Sequence, residues 1–329
     1  MSDVHRLHRE SFVVDAHCDT ALRLAAGDSL TPGGGAAPGH VDLPRLRAGG
    51  VDLQVFALWV DADSRKHGRL RRCLELLDAV VAETERLRDD FRLVLSARDI
   101  DAAAQAGQIG VLLSIEDGAA LEGSLSALRA FYRLGVRAMG LTWNGRNELG
   151  EGVGAAKGAG GGLTAFGRDV VREMNRLGMI VDVSHLSEAG FWDVLEISDA
   201  PVIASHSNAK AVCDHRRNLT DRQIKALADA GGVMGINFCP PFLADGGRAS
   251  VEDIVRHVDH IVDLVGPGHV GLGSDFDGIS STPEGAEDVA RLPAVTEALA
   301  ARGYGDEEIR AILGGNFLRV FRQILQPAD

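Results

Sequence analysis

His17 and Asp19 stand two apart in the run F-V-V-D-A-H-C-D-T, residues 12–20. Phe12 to Val14 and Ala16 give that run a strand-like start, and on a strand residues i and i+2 share a face. Imidazole and carboxylate side by side suit a divalent cation such as zinc. A surface histidine beside a helix-capping aspartate would read the same way, so the pair alone decides nothing. Comparable groups recur, however, just past later apolar runs: Glu116, His185, His206 and Asp275. Three histidines and three carboxylates exceed the three protein ligands of a catalytic zinc, and two ions are the natural account. Such ions share a bridging oxygen ligand, activate water and polarise the substrate oxygen. Glu116 has two carboxylate oxygens and lies between the other ligand sets, which makes it the bridging candidate. His17 and Asp19 fall to one ion, His185 and His206 to the other. Asp275 is left for proton work, taking a proton from the attacking water and passing it to the leaving group.

These groups need a scaffold that gathers distant strand ends. After the first strand, β-type apolar runs are expected at 51–60, 110–115, 136–143, 179–184, 201–205, 232–238 and 269–274. Helical spacing is expected at 69–90, 124–134, 164–177, 188–197, 221–230 and 251–265, with two terminal helices near 288–302 and 306–325. Eight strands alternating mostly with helices predict an α/β fold, a (β/α)8 TIM-type barrel with extra C-terminal helices. An open doubly wound sheet is the competing arrangement. No internal repeat or Pro/Ser-rich linker divides the chain, which favours one domain over 1–329. In a barrel the C-terminal ends of all strands meet on one face, where active sites of this fold lie. The six candidate residues would then surround one mouth.

Composition narrows the chemistry further. Hydrophobic residues at 45% and charged residues at 25% exclude a mainly disordered or collagen-like chain. A net charge of −13 disfavours nucleic acid and anionic membrane as partners and leaves a small substrate. Cys18, Cys73, Cys213 and Cys239 form no C-x-x-C pair, so a reducing compartment fits. The N-terminus lacks an apolar signal core and no run approaches a membrane span. The expectation is a soluble, cytoplasmic protein, with a homodimer left open.

Six motifs together resemble the membrane dipeptidase (renal dipeptidase) family of binuclear zinc peptidases, related to the amidohydrolases. They are D-A-H-C-D-T at 15–20, S-I-E-D-G at 114–118, V-D-V-S-H at 181–185, S-H-S at 205–207, R-R-N at 216–218 and G-S-D-F-D-G at 273–278. The resemblance implies that His17 and Asp19 bind one Zn2+, that His185 and His206 bind a second, and that Glu116 bridges them. It implies Asp275 as the acid/base and Arg217 as the grip on the substrate carboxylate. The guanidinium fork of Arg217 matches a carboxylate in two-point fashion. Only the resemblance supplies the substrate class: dipeptides, including those with a C-terminal D-residue.

The chain also departs from the family. Animal members resemble L-T-H after the fourth strand, where the histidine steadies the oxyanion; here the run is Leu141-Thr142-Trp143-Asn144. Asn144, Arg146 or a metal ion would have to supply that donor. The run I-N-F-C-P-P-F at 236–242 lacks a tyrosine that members often place there. Other readings compete: hydrolysis of a lactam, an N-acyl amino acid or a small ester, or a barrel that binds a ligand without catalysis.

Several signals are set aside. The glycine-rich tract 150–162 contains Lys157 without a phosphate-loop pattern and reads as a loop over the mouth, as 27–39 reads as a long loop. His257 and His260 are expected on the surface. Asp277 is expected to cap or orient Asp275, and His215 is a possible pocket residue beside Arg217.

Overall fold

The computed structural model describes residues 2–31, 39–60, 68–154 and 161–325. Its strands are β1 (Val13–Cys18), β2 (Val51–Trp59), β3 (Phe91–Leu93), β4 (Ile109–Glu116), β5 (Val136–Gly140), β6 (Ile180–Asp182), β7 (Ile203–Ala204), β8 (Val233–Ile236) and β9 (Val270–Leu272). Every residue of β1 and of β4 is buried, as expected of parallel strands covered on both faces. Pairing runs β2-β1-β9-β8-β7-β6-β5-β4, and β2 pairs again with β4 from Leu53↔Gly110 to Trp59↔Glu116. Eight parallel strands therefore close on themselves. The fold is the expected barrel and not the open sheet.

β3 lies outside the ring, against the start of β4. Its three residues follow directly on a long helical pattern and carry too little alternation to be read as a strand. Helices Ser2–Glu10, Thr20–Ala25, Leu43–Ala48 and Ala97–Ala106 were likewise not expected. The helix expected at 306–325 is three pieces, with a π-helical turn Ala311–Gly315 between Asp306–Arg310 and Asn316–Ile324. Phe317 and Phe321 of the last piece pack with Val14, Ala16, Leu53 and Leu112 of the barrel wall.

The helices after β5, β6 and β7 are opened by hydroxyl caps. Gly167 N–H donates to Thr164, Gly190 N–H to Ser187, and Thr220 forms a capping box with Gln223. Each cap fixes where the strand-end loop stops and so where its side chains point. At Gly273 a Cβ would collide with the Ser205 carbonyl oxygen. Glycine there lets the ends of β9 and β7 approach, which draws the mouth together.

One expectation is corrected by packing. His257 is fully buried: Ala209 N–H donates to its Nδ1 (3.1 Å), and its Nε2 bonds the Leu243 carbonyl (3.0 Å). It sits on the stripe Ile254, His257, Val258, Ile261 that faces the core, so helical periodicity overrides its polarity. His260 is partly buried and meets Asp221 at 2.8 Å. Residues Pro32 to Gly35, Lys157 and His67, on which parts of the loop and histidine readings fall, lie outside the described residues. Among the described residues no helix is long and apolar enough to cross a membrane.

Candidate metal centre

Every one of the six expected residues reaches the same end of the barrel. His17 and Asp19 leave β1 on one face, with Nε2 and Oδ2 3.5 Å apart. Glu116, the last residue of β4, stands between two groups. Its Oε2 lies 3.4 Å from His17 Nε2, and its Oε1 lies 3.1 Å from His185 Nε2 and 3.8 Å from His206 Nε2. Asp275 Oδ1 is 4.0 Å from His17 Nε2. Donor atoms thus fall into three sets that each lie within 4.8 Å: His17, Asp19 and Glu116; Glu116, His185 and His206; His17, His206 and Asp275.

The backbone helps to aim them. His185 and Asp275 have φ of 66° and 64°, a left-handed conformation that costs about 1–3 kcal/mol for a residue with a side chain. In each case the turn comes three residues past a strand end and swings the side chain into the mouth. Asn237 Nδ2 donates to Asp275 Oδ2 (2.8 Å), leaving Oδ1 on the His17 side. Asp277 does not contact Asp275 in this way. Its carboxylate takes bonds from Thr20 Oγ1 (2.7 Å), Arg23 Nη1 (3.0 Å) and His40 N–H (2.6 Å), tying the first loop to the last.

Burial sets the electrostatics. Desolvation raises the carboxyl pKa of Asp275, and it pushes Asp19 up to about 8 with Glu116 adding to the rise. Desolvation also depresses the imidazoles, His185 to about 4 with Arg217 contributing, and His206 well below the usual value. Burial opposes the charges of Glu116 and His17 as well, but their mutual attraction outweighs it. Glu116 stays below the carboxylate range and His17 rises above the imidazole value.

These residues fit divalent cations on two further observations. His17 Nε2 is buried with no hydrogen-bond partner. Gly278 forms a wall in which a Cβ would strike both Asp19 Oδ2 and Asp275 Oδ1, so the carboxylates converge on a space bounded by bare backbone.

A cavity of about 330 Å3 opens beside this cluster, lined by Trp59, Trp143, Asn144, Arg217, Cys239 and Asp275. Arg217 is buried; its Nη2 donates to the His206 carbonyl (2.9 Å), and its Nε has no partner. His215 stands behind it, stacked on Phe242 at 4.4 Å, with Arg217 N–H donating to its Nδ1. Trp143 leans on the His185 ring (6.0 Å) and meets Trp59 edge-on (5.3 Å), which makes it an apolar wall. Asn144 Oδ1 is engaged by His185 Nδ1 at 2.9 Å. A second cavity of about 490 Å3 shares His185 and Arg217 and reaches Lys210 and Arg216. The sequence reading did not single out Asn237, Trp59 or Cys239, although each stands at or just past a strand end.

The model of the family described as membrane dipeptidase, peptidase family M19, matches residues 1–329. The chain belongs to this family. Relatives of the chain include the dipeptidase tcpJ of Claviceps purpurea (strain 20.1), 37% identical over 295 residues, 87% of this chain and 69% of that protein. A Klebsiella pneumoniae protein of the pqqA 5′ region is 43% identical over 244 residues, 72% of this chain and 90% of that one. Among solved structures, a metallopeptidase from Rhodobacter sphaeroides, liganded with a phosphinate mimic of the dipeptide L-Ala-D-Ala, superimposes with a TM-score of 0.88. It is 31% identical, and the match covers 96% of this chain and 100% of that one. Membership places the chain among the metal-dependent dipeptidases.

Proposed function

We propose that this M19 chain is a binuclear zinc dipeptidase that hydrolyses unblocked dipeptides, including those with a C-terminal D-residue. The observation that carries the reading is Glu116, whose two oxygens face two separate donor sets within 4 Å. His17 and Asp19 would hold one Zn2+, His185 and His206 the other, with Glu116 shared. When bound, the ions supply Lewis-acid polarisation and lower the pKa of water.

The chain's own groups do the rest. Arg217 receives the substrate carboxylate in two-point fashion, at the edge of the cavity it shares with Asp275. Asp275 takes the proton of the attacking water at Oδ1, since Oδ2 is occupied by Asn237, and delivers it to the departing amine. Asn144 keeps its amide N–H2 for the substrate carbonyl while its Oδ1 holds His185. Trp59 and Trp143 shed water from the reacting bond. The L-Ala-D-Ala mimic bound by the Rhodobacter relative supports a C-terminal D-residue as acceptable. Four free cysteines support a cytoplasmic setting, and a soluble protein without membrane attachment belongs to the same reading.

The test is a panel of free and N-acylated L-L and L-D dipeptides offered to metal-loaded protein. Hydrolysis of the free dipeptides, abolished by a chelator and restored by Zn2+, is expected. Faster turnover of the N-acylated compounds would move the activity to another small amide.

A further inference from the structure

His206 and His185 point Nε2 at each other across 2.9 Å, with Glu116 Oε1 beside both. Such an approach is tolerable only if the lone pairs face a shared cation or one ring carries a proton between them. What decides is the far nitrogen of each ring, because a neutral imidazole has one N–H and one lone pair.

For His206 the far side is a buried chain of three groups. Its Nδ1 lies 2.7 Å from Ser205 Oγ, and Ser205 Oγ–H donates to Asp182 Oδ2. Asp182 Oδ1 is filled by the Ser184 and Ser205 backbone N–H groups, each at 2.9 Å. Asp182, Ser205 and His206 are at most 4% exposed, so water does not compete. A serine hydroxyl has one proton, and here Asp182, an acceptor only, takes it. Ser205 Oγ is left to accept, which requires the proton on His206 Nδ1 and frees the Nε2 lone pair. Asn144 Oδ1 does the same for His185, but through a neutral amide.

We propose that Ser205 and Asp182 are positioning residues: the chain Asp182–Ser205–His206 sets the tautomer and basicity of His206 toward a divalent cation. The proposal rests on the two-metal reading above. Partners of this kind on the outer nitrogen of a ligating histidine are worth about ten- to hundredfold in metal affinity. Asp182 also ties the ends of β6 and β7 through its two backbone bonds, so the hydroxyl of Ser205 separates the two roles. Ser205→Ala removes the relay and keeps both N–H bonds to Asp182. Asp182→Asn reverses it: an amide N–H2 in place of Oδ2 donates to Ser205, whose proton then turns to His206 Nδ1 and forces the N–H onto Nε2.

The experiment titrates metal-free wild-type, Ser205→Ala and Asp182→Asn proteins with Zn2+ against a competing chelator and records 15N spectra of their labelled imidazoles. Wild type is expected to take two Zn2+ and, metal-free, to show His206 protonated at Nδ1. Ser205→Ala should weaken one of the two affinities about ten- to hundredfold and leave the other within about threefold. Asp182→Asn should lose at least as much and show the Nε2–H signature. A wild type that takes fewer than two ions would defeat the two-metal reading and this inference together. Wild-type affinities in both variants, or an unchanged His206 tautomer in Asp182→Asn, would overturn the relay alone. Equal weakening of both ions with a lowered unfolding midpoint in Ser205→Ala would show a hydroxyl that merely supports the fold, and would overturn it too.

Discussion

At Gly278 the missing side chain is what matters. A methyl there would meet Asp19 Oδ2 and Asp275 Oδ1 at once; Asp19 is buried, and Asp275, though partly exposed, is held by Asn237. Gly278→Ala is therefore expected to displace both carboxylates and weaken the ion assigned to His17 and Asp19 by at least about tenfold, read as metal content after dialysis, with the unfolding midpoint of the metal-free protein lowered as well. Asn144 separates in a different way. Asn144→Ala removes the acceptor on His185 Nδ1, and metal affinity should fall about tenfold or more. Asn144→Asp keeps the acceptor and deletes the amide donor; metal content should survive while kcat drops about a hundredfold, the usual size for one lost oxyanion donor. An aspartate variant with wild-type kcat would remove Asn144 from the substrate's side and leave it to His185. Cys18, between His17 and Asp19, is buried, and desolvation raises its thiol well above the ordinary value, so alkylating reagents should leave it untouched.

Among the elements, the helix Val251–Val265 makes the clearest pH prediction because it buries an imidazole. Desolvation lowers His257 to about 4 from 6.5. Below pH 6.5 the unfolded chain binds a proton that the folded one refuses, so stability falls as pH drops from 6.5 to about 4 and then levels. The loss from this group is on the order of 3 kcal/mol. Denaturant unfolding of metal-free protein at pH 7 and pH 4.5 should show a smaller decline in His257→Gln than in wild type, although the variant starts less stable. This helix also marks what the sequence could convey. Its apolar stripe was visible and should have claimed His257, since Ile254, Val258 and Ile261 flank it at helical spacing. The barrel strands were legible because strands buried on both faces write continuous apolar runs, and a charged residue such as Glu116 or Asp275 ends them. β3 and the helix Thr20–Ala25 were not, being short elements whose form is imposed by β4 and by the barrel mouth. Ser205 and Asn237 escaped notice for another reason. An uncharged polar residue past a strand is ordinary in any loop, and only its partner from another strand end, Asp182 for Ser205 and Asp275 for Asn237, gives it meaning.

For the whole molecule, the proposed two-metal reading means that the cluster at the mouth couples folding to cation binding. Three carboxylates and three imidazoles are gathered at one mouth in a chain of net charge −13, and the raised pKa values of Asp19 and Asp275 register desolvation first and then repulsion from Glu116. A divalent ion bound only by the folded state relieves both effects. At a free concentration one hundred times its Kd, each site adds about 2.7 kcal/mol. With an unfolding entropy of about 2.1 cal/mol/K per residue, a chain of 329 residues gains roughly 4 °C in Tm per site, so two sites give about 8 °C. A calorimetric titration with Zn2+ should show that rise with wild type, about half of it with Asp19→Ala or His206→Ala, and almost none when the two are combined. Glu116 serves both donor sets, so Glu116→Gln should abolish nearly the whole rise by itself, while Asp275→Asn, which leaves both principal sets intact, should keep most of the rise and lose turnover. A Glu116→Gln protein that still gained the full 8 °C would mean that the two sets are independent, and the shared carboxylate at the end of β4 would no longer explain why the barrel gathers them at one mouth.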